Sequence, residues 1–406
     1  MYVALLMLLQ LRVAPAEATF LSAMLFVPWI LKPFMRPWVK RFGHFGQMVF
    51  IVEGLLSAAL FFLAFAFRMS TAAVFLALLI VSLLCVWHEL VACMYYDSTL
   101  RPSLQRLLTI PKAICSQAAI IFTYGALIFV VGTLQVYFRQ MIRYSWSVGC
   151  YVATGIFLLF FLYHFIYLSR SPWREVIPDE DCQDKLPSFR ETFRLRRSTE
   201  DGCNSVNEGW IGILLLLFLL LPQALMFYAR VLYLYDTHEH EGLQCTIQEI
   251  GFAQGTVGVI AFNIGIALNR LLLQHYSFWH LFWPMATCLV LSPFVYMGMT
   301  LYPPGSLGML CCCTMSAQIL FGLGAGVCRY PVSLVSGNHY HNEVNVLQIP
   351  VVSTVMFVPM AVCGWMVERF GYNMFFLVNA LSAPACLLVV YLLLRLRRMH
   401  PCCYKP

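Results

Sequence analysis

Two carboxylates in this chain stand where a carboxylate is costly. Of the nineteen Asp and Glu residues, Glu53 and Glu89 are the ones that lie clearly inside long apolar runs. An ionised group within hydrocarbon costs several kcal/mol, so such a residue is by default a functional candidate. Glu53 falls about six residues, or roughly 9 Å along a helix, from one end of its run. Glu89 follows His88 in the segment Val86-Trp87-His88-Glu89-Leu90-Val91-Ala92-Cys93. At i, i+4 spacing, Glu89, Cys93 and Asp97 share one helix face. A carboxylate whose proton affinity is raised by desolvation can take a proton from one side of a membrane and release it to the other. Glu89 beside His88 has the residue types for that task. The bland reading stands next to it: a polar contact between helices, or an acid bonded to the basic stretch from Lys32 to Arg41. Glu53 carries the same pair of readings.

The remaining polar residues of the apolar runs are weaker signals. Arg329 follows the glycines Gly322, Gly324 and Gly326; it could attract an anionic solute group, or snorkel to the interface. No strand precedes those glycines, so they read as close helix packing and not as a nucleotide loop. Gln117, Gln135, Asn263 and Gln318 are uncharged, and each could bond a neighbouring helix or a solute. The stretch Asp236-Thr237-His238-Glu239-His240-Glu241 holds metal-capable side chains without a zinc spacing, and reads as a solvated loop. The sixteen cysteines are scattered and form no Cys-x-x-Cys pair, so they are expected as small packing residues. No nucleophile elbow, phosphate loop or metalloprotease His pair is present, so neither an enzyme nor a cofactor or metal is expected.

The elements that must hold these residues are membrane helices. Apolar residues make up 61% of the 406 positions and charged residues 11%, against roughly 25% charged in soluble proteins. The apolar residues come in blocks of about 20, the length that crosses about 30 Å of hydrocarbon. Blocks such as Trp210 to Leu221 show no alternation, which excludes a barrel. Eleven full spans are expected, at 18–35, 47–67, 71–94, 113–138, 146–168, 209–230, 247–272, 278–301, 306–330, 343–366 and 372–394. Met1 to Leu11 is a half-span, read as the second half of a first helix that is truncated here.

Of the 26 Lys and Arg residues, all but Arg12, Arg68, Arg139, Arg143, Arg230 and Arg369 fall on one side of this topology. That side is expected to be cytoplasmic, including the C-terminus. The formal charge of +7 is spread over loops, without the basic stripe and interleaved aromatics that nucleic acid would require. The polar loop 170–208 divides the chain into a transmembrane half at 1–169 and another at 209–398, with a tail at 399–406. Six plus six helices around a cytoplasmic linker is the parallel-repeat plan of major facilitator transporters, with solute bound between the halves.

Several collinear stretches resemble the AmpG-like branch of that superfamily, the muropeptide permeases and their acetyl-CoA-transporter relatives. Gly251-Phe252-Ala253-Gln254-Gly255-Thr256-Val257-Gly258-Val259-Ile260 resembles the family's eighth-helix run. Gly364-Trp365 through Glu368, then Gly371-Tyr372 and Phe375-Phe376, is similar to its turn between helices 11 and 12. Val27-Pro28-Trp29-Ile30-Leu31-Lys32-Pro33-Phe34 matches the end of helix 2, and His88-Glu89 resembles the His-Asp of its helix 4. The chain departs from the family at Cys93, where a second helix 4 acid is expected, and at Lys40, where an Asp is. The stretch Leu219 to Leu225 likewise lacks the Arg and Glu that many relatives carry on helix 7.

The resemblance implies a monomeric bacterial inner-membrane permease in the lipid bilayer. It would move a small solute, a peptidoglycan-derived muropeptide or another sugar or peptide compound, coupled to protons by symport. Glu89 would be the coupling group. The alternative is a non-transporting scaffold or sensor on the same fold.

Overall fold

A computed structural model of the chain describes residues 1–42, 44–139, 141–168, 205–336 and 344–399. Among the described residues every regular element is helical. The reason is local: continuous apolar blocks close their own backbone hydrogen bonds only as helices. Residues 170–204 of the expected linker and 400–406 of the expected tail lie outside the described residues.

The half-span at the start is α1, Tyr2–Gln10, buried along its whole length. It stops where Arg12 takes a left-handed φ of 64°. The next span is broken three ways, into α2 (Pro15–Met24), α3 (Val27–Ile30) and α4 (Lys32–Phe42). Proline lacks the backbone N–H and is accepted in the first turn of a helix, so Pro15 and Pro28 each restart one. The axis bends by 44° between Pro15–Ile30 and Lys32–Arg41.

Then come α5 (Phe45–Ala66), α6 (Thr71–Thr99), α7 (Pro102–Ile121), α8 (Leu127–Tyr137) and α9 (Ile142–Leu168). Ser70 caps α6 by accepting from the backbone of Ala73. A π-helical turn, Phe122–Ala126, joins α7 to α8 as one continuous rod.

After the undescribed stretch follow α10 (Ser205–Tyr235), α11 (Ile247–Ile250), α12 (Gly258–His275), α13 (Phe278–Leu301), α14 (Leu307–Ala325), α15 (Arg329–Ser336) and α16 (Val344–Met399). A second π-helical segment, Gly251–Val257, joins α11 to α12. The span at Leu307–Val335 runs from α14 through a 3-10 turn, Gly326–Cys328, into α15. In α16, Gly371 has φ 74° and ψ 165°, a region essentially restricted to glycine. It separates the two spans expected at 343–366 and 372–394.

Among the described residues nine helices are long and apolar enough to cross a membrane, ten if the bent pair is one span. Counting both arms of α16 gives the eleven expected spans. Lipid-facing apolar side chains remain exposed, such as Leu55, Phe61, Leu159 and Leu381. The twelve cysteines among the described residues are all free.

Helix α5 packs between α6 and α9, α12 against α14, and α10 against α16. The two sets meet where α2 runs along α16 and where the two π-helical segments touch. That last contact depends on glycine. A Cβ on Gly255 would strike the Tyr124 carbonyl, and one on Gly125 would strike the Thr256 hydroxyl. The main core joins α1, α6, α10 and α16 through Leu5, Leu6, Val74, Tyr228, Leu232 and Phe376.

Candidate functional site

Glu53 sits eight residues into α5, about 12 Å along its axis at 1.5 Å per residue. Its side chain is 4% exposed and is held between two imidazoles. His88 Nε2 of α6 lies 3.2 Å from Oε1. His164 Nδ1 of α9 lies 2.9 Å from Oε1 and 2.8 Å from Oε2. Three helices thus converge on one carboxylate. They can do so because α5 packs against both α6 and α9 on the face that carries Glu53. The two rings are half-buried, so they link the enclosed carboxylate to more open surroundings. Carboxylate and imidazole together can accept, share and pass on a proton. His164 was not singled out from the sequence; its only signal was a titratable ring inside the apolar run at 146–168.

Glu89 has a different partner. Its Oε1 lies 2.8 Å from the Lys32 ammonium, which is 5% exposed and also sits 5.7 Å from the centroid of the Trp29 ring. His88 and Glu89 are sequence neighbours on α6, yet they serve different partners, because adjacent residues on a helix point about 100° apart. Of the two readings open for Glu89, the pair with Lys32 is the bond to the basic stretch. The other Glu89 oxygen is buried and has no hydrogen-bond partner.

The uncharged candidates fall at helix contacts. Asn263 of α12 donates to the Gln117 side chain of α7 at 3.0 Å and to its own helix at Val259. Gln318 is buried on α14 beside Gly258. Gln135 pairs with Gln10 at 2.7 and 3.0 Å, and Trp146 also donates to Gln10 at 2.6 Å. Arg329, at the start of α15, is exposed. The loop after α10 is exposed from Thr237 to Glu241. Among the described residues no cluster of His, Cys, Asp and Glu has the arrangement of a metal site.

The centre of the bundle holds a further cluster, built from residues far apart in the sequence. Tyr2 of α1 stacks on Tyr124, with ring centroids 5.4 Å apart. Tyr124 lies in the first π-helical turn and Gln254 in the second. Such bulges re-aim side chains and recur at functional sites. Gln254 donates to the Tyr296 hydroxyl at 3.1 Å and lies 3.5 Å from the Thr314 hydroxyl. Helix α1, which carries Tyr2, packs against both α10, which carries Arg230, and the first π-helical turn, which carries Tyr124. The span expected at 209–230 ends at Arg230, whereas α10 continues to Tyr235. The apolar run Val231-Leu232-Tyr233-Leu234-Tyr235 behind it was the signal that the helix continues.

No protein-family model and no curated protein matches the sequence. Among solved structures, the nucleoside transporter NupG superposes with a TM-score of 0.69 at 13% identity, over 97% of this chain and 93% of its own. The peptide transporter POT in complex with alafosfalin superposes with a TM-score of 0.63 at 12% identity, over 94% of this chain and 86% of its own. This chain has the major facilitator fold.

Helices α1 to α9 precede the undescribed stretch and α10 to α16 follow it. The Glu53 cluster lies wholly among α5, α6 and α9. Contacts between the two sets include α1 with α10, the Asn263 to Gln117 bond, and one at the opposite end from the Lys32 to Arg41 stretch. There Glu368 of α16 accepts from the Ala16 backbone at 2.9 Å, and Gly364 is packed against Pro15 and Thr19.

Proposed function

We propose that this chain is a proton-coupled secondary transporter of a bacterial inner membrane, acting as a monomer with its basic end in the cytoplasm. It moves a small solute between its halves by alternating access, as the likeness to nucleoside and peptide transporters supports. The substrate class is a peptidoglycan-derived muropeptide or another sugar or peptide compound, on the strength of the AmpG-like stretches. The observation that carries proton coupling is the burial of Glu53 between His88 and His164. A carboxylate so enclosed has no structural need for two imidazoles, one of which would neutralise it.

In this reading Glu53 binds and releases the proton, and His88 and His164 conduct it. Glu89 is held as a charge by Lys32, and its neighbour His88 joins the two sites along α6. A proton gained at Glu53 weakens its hold on both imidazoles, and α6 carries that change to α4 through Glu89.

The test is uptake of labelled anhydro-muropeptide into proteoliposomes, with and without an imposed proton gradient. Wild-type protein should accumulate label only with the gradient. Glu53→Gln should lose that accumulation while retaining exchange of label between the two sides. Gradient-driven uptake by Glu53→Gln at the wild-type rate would remove Glu53 as the coupling group. Absence of both uptake and exchange in folded wild-type protein would favour a scaffold or sensor on the same fold.

A further inference from the structure

The centre of the bundle contains an excess of hydrogen-bond donors. Arg230 lies five residues before the end of α10, roughly 8 Å along the helix axis. Its guanidinium lies 5.3 Å from the centroid of the Phe227 ring, and its Nε is buried without a hydrogen-bond partner. Among the described residues no carboxylate pairs with it. The acids nearest along the chain are engaged elsewhere. Asp236 accepts from the Thr237 backbone and the Tyr372 hydroxyl, Glu241 from the Asn373 backbone, and Glu249 from Thr246.

The hydroxyls of Tyr2 and Tyr228 are also buried and without partners. Arginine has five N–H donors and no acceptor, and phenols can add further donors. Arg230 is half-buried with its Nε enclosed, and a partly desolvated guanidinium without a counter-charge favours a ligand that supplies one. Among the described residues no acidic side chain does so.

We propose that Arg230, with the hydroxyls of Tyr2 and Tyr124, forms a subsite for an oxyanion, a carboxylate or phosphoryl group carried by the transported solute. That the oxyanion belongs to a transported solute rests on the transporter reading above; the anion chemistry rests on the side chains alone. Guanidinium and oxyanion match as a planar fork of donors against paired acceptors. Phe227 holds the guanidinium plane from one side and is itself set by an edge contact with Phe26 of the opposite half, centroids 6.2 Å apart. Tyr2 and Tyr228 are buried between the halves, away from the lipid-facing surface, so the anion must arrive along the path between the halves. Binding there would tie Arg230 of one half to Tyr2 and Tyr124 of the other.

The experiment is thermal unfolding of the purified full chain in detergent, in chloride, acetate or phosphate at constant ionic strength. Wild-type protein should unfold about 2 °C or more higher in acetate or phosphate than in chloride, the size of shift that saturating a weak site gives. Arg230→Gln and Arg230→Met should lose that difference, and Arg230→Lys should keep part of it. A shift in acetate assigns a carboxylate, and one confined to phosphate assigns a phosphoryl group. An equal shift in the Gln and Met variants, or no shift in wild-type protein, overturns the proposal. The wild-type comparison decides even if a variant fails to fold. Loss of uptake with the anion shift intact would sink the transporter reading and leave the oxyanion site. Uptake without any shift would do the reverse.

Discussion

Lys32 and Glu89 illustrate how one residue type changes meaning with its partner. The ammonium is 5% exposed and lies 2.8 Å from the carboxylate, so each charge is tolerated only because the other is present. Removing one member of a buried pair leaves an uncompensated charge and costs about 3–5 kcal/mol, while replacing both by apolar groups is often close to neutral. Glu89→Leu should therefore lower the unfolding temperature sharply, and Lys32→Met with Glu89→Leu should recover most of the loss. A double-mutant cycle by thermal unfolding measures this. Additive losses would mean that the two side chains do not depend on each other. Glu53 differs because its partners are imidazoles, each of which can donate or accept a proton. Its substitution is expected to act on coupling more than on stability.

At the scale of elements, the two π-helical segments set the geometry of the centre. Each inserts an extra residue into a helix, and they meet through Gly125 and Gly255 so closely that a Cβ has no room. Overpacking such a contact costs about 1–3 kcal/mol. Gly255→Val should destabilise the protein by about that amount in thermal unfolding, and should also disturb solute binding because Tyr124 and Gln254 lie in these segments. Gly155 of α9, with nothing near its absent Cβ, supplies the control. Gly155→Ala should leave stability within about 0.5 kcal/mol or raise it slightly. Equal losses at both glycines would mean that helix propensity, and not the close approach, sets the cost.

For the whole molecule, the proposed alternating access requires contacts between α1 to α9 and α10 to α16 that break in turn. At the end away from the Lys32 to Arg41 stretch, Glu368 caps the N-terminus of α2 by accepting from Ala16 at 2.9 Å, and Gly364 admits Pro15 and Thr19. Ala16→Cys with Glu368→Cys, joined by a short bifunctional maleimide in a background with its exposed cysteines replaced, should stop solute uptake. Protein carrying either cysteine alone should be unaffected by the reagent. Full uptake by the cross-linked protein would mean that this end stays closed throughout the cycle.

The sequence by itself determined the membrane bundle. Apolar blocks of spanning length, proline and Gly371 at the breaks, and Lys and Arg between blocks are local facts, and each acts over a few turns of helix. It also marked Glu53, His88 and Glu89, because an ionisable residue in an apolar run is visible without knowing its neighbours. What only the tertiary structure decided is pairing across distance. Glu53 meets His164 of α9, Glu89 meets Lys32 and not His88, and Gln117 meets Asn263. Arg230 looked like the end of a span and instead lies within α10, which continues to Tyr235 and packs against α1. Helix periodicity fixes which way a side chain points around its own axis. Which helix stands opposite is fixed by packing of the whole bundle, and no local pattern encodes it.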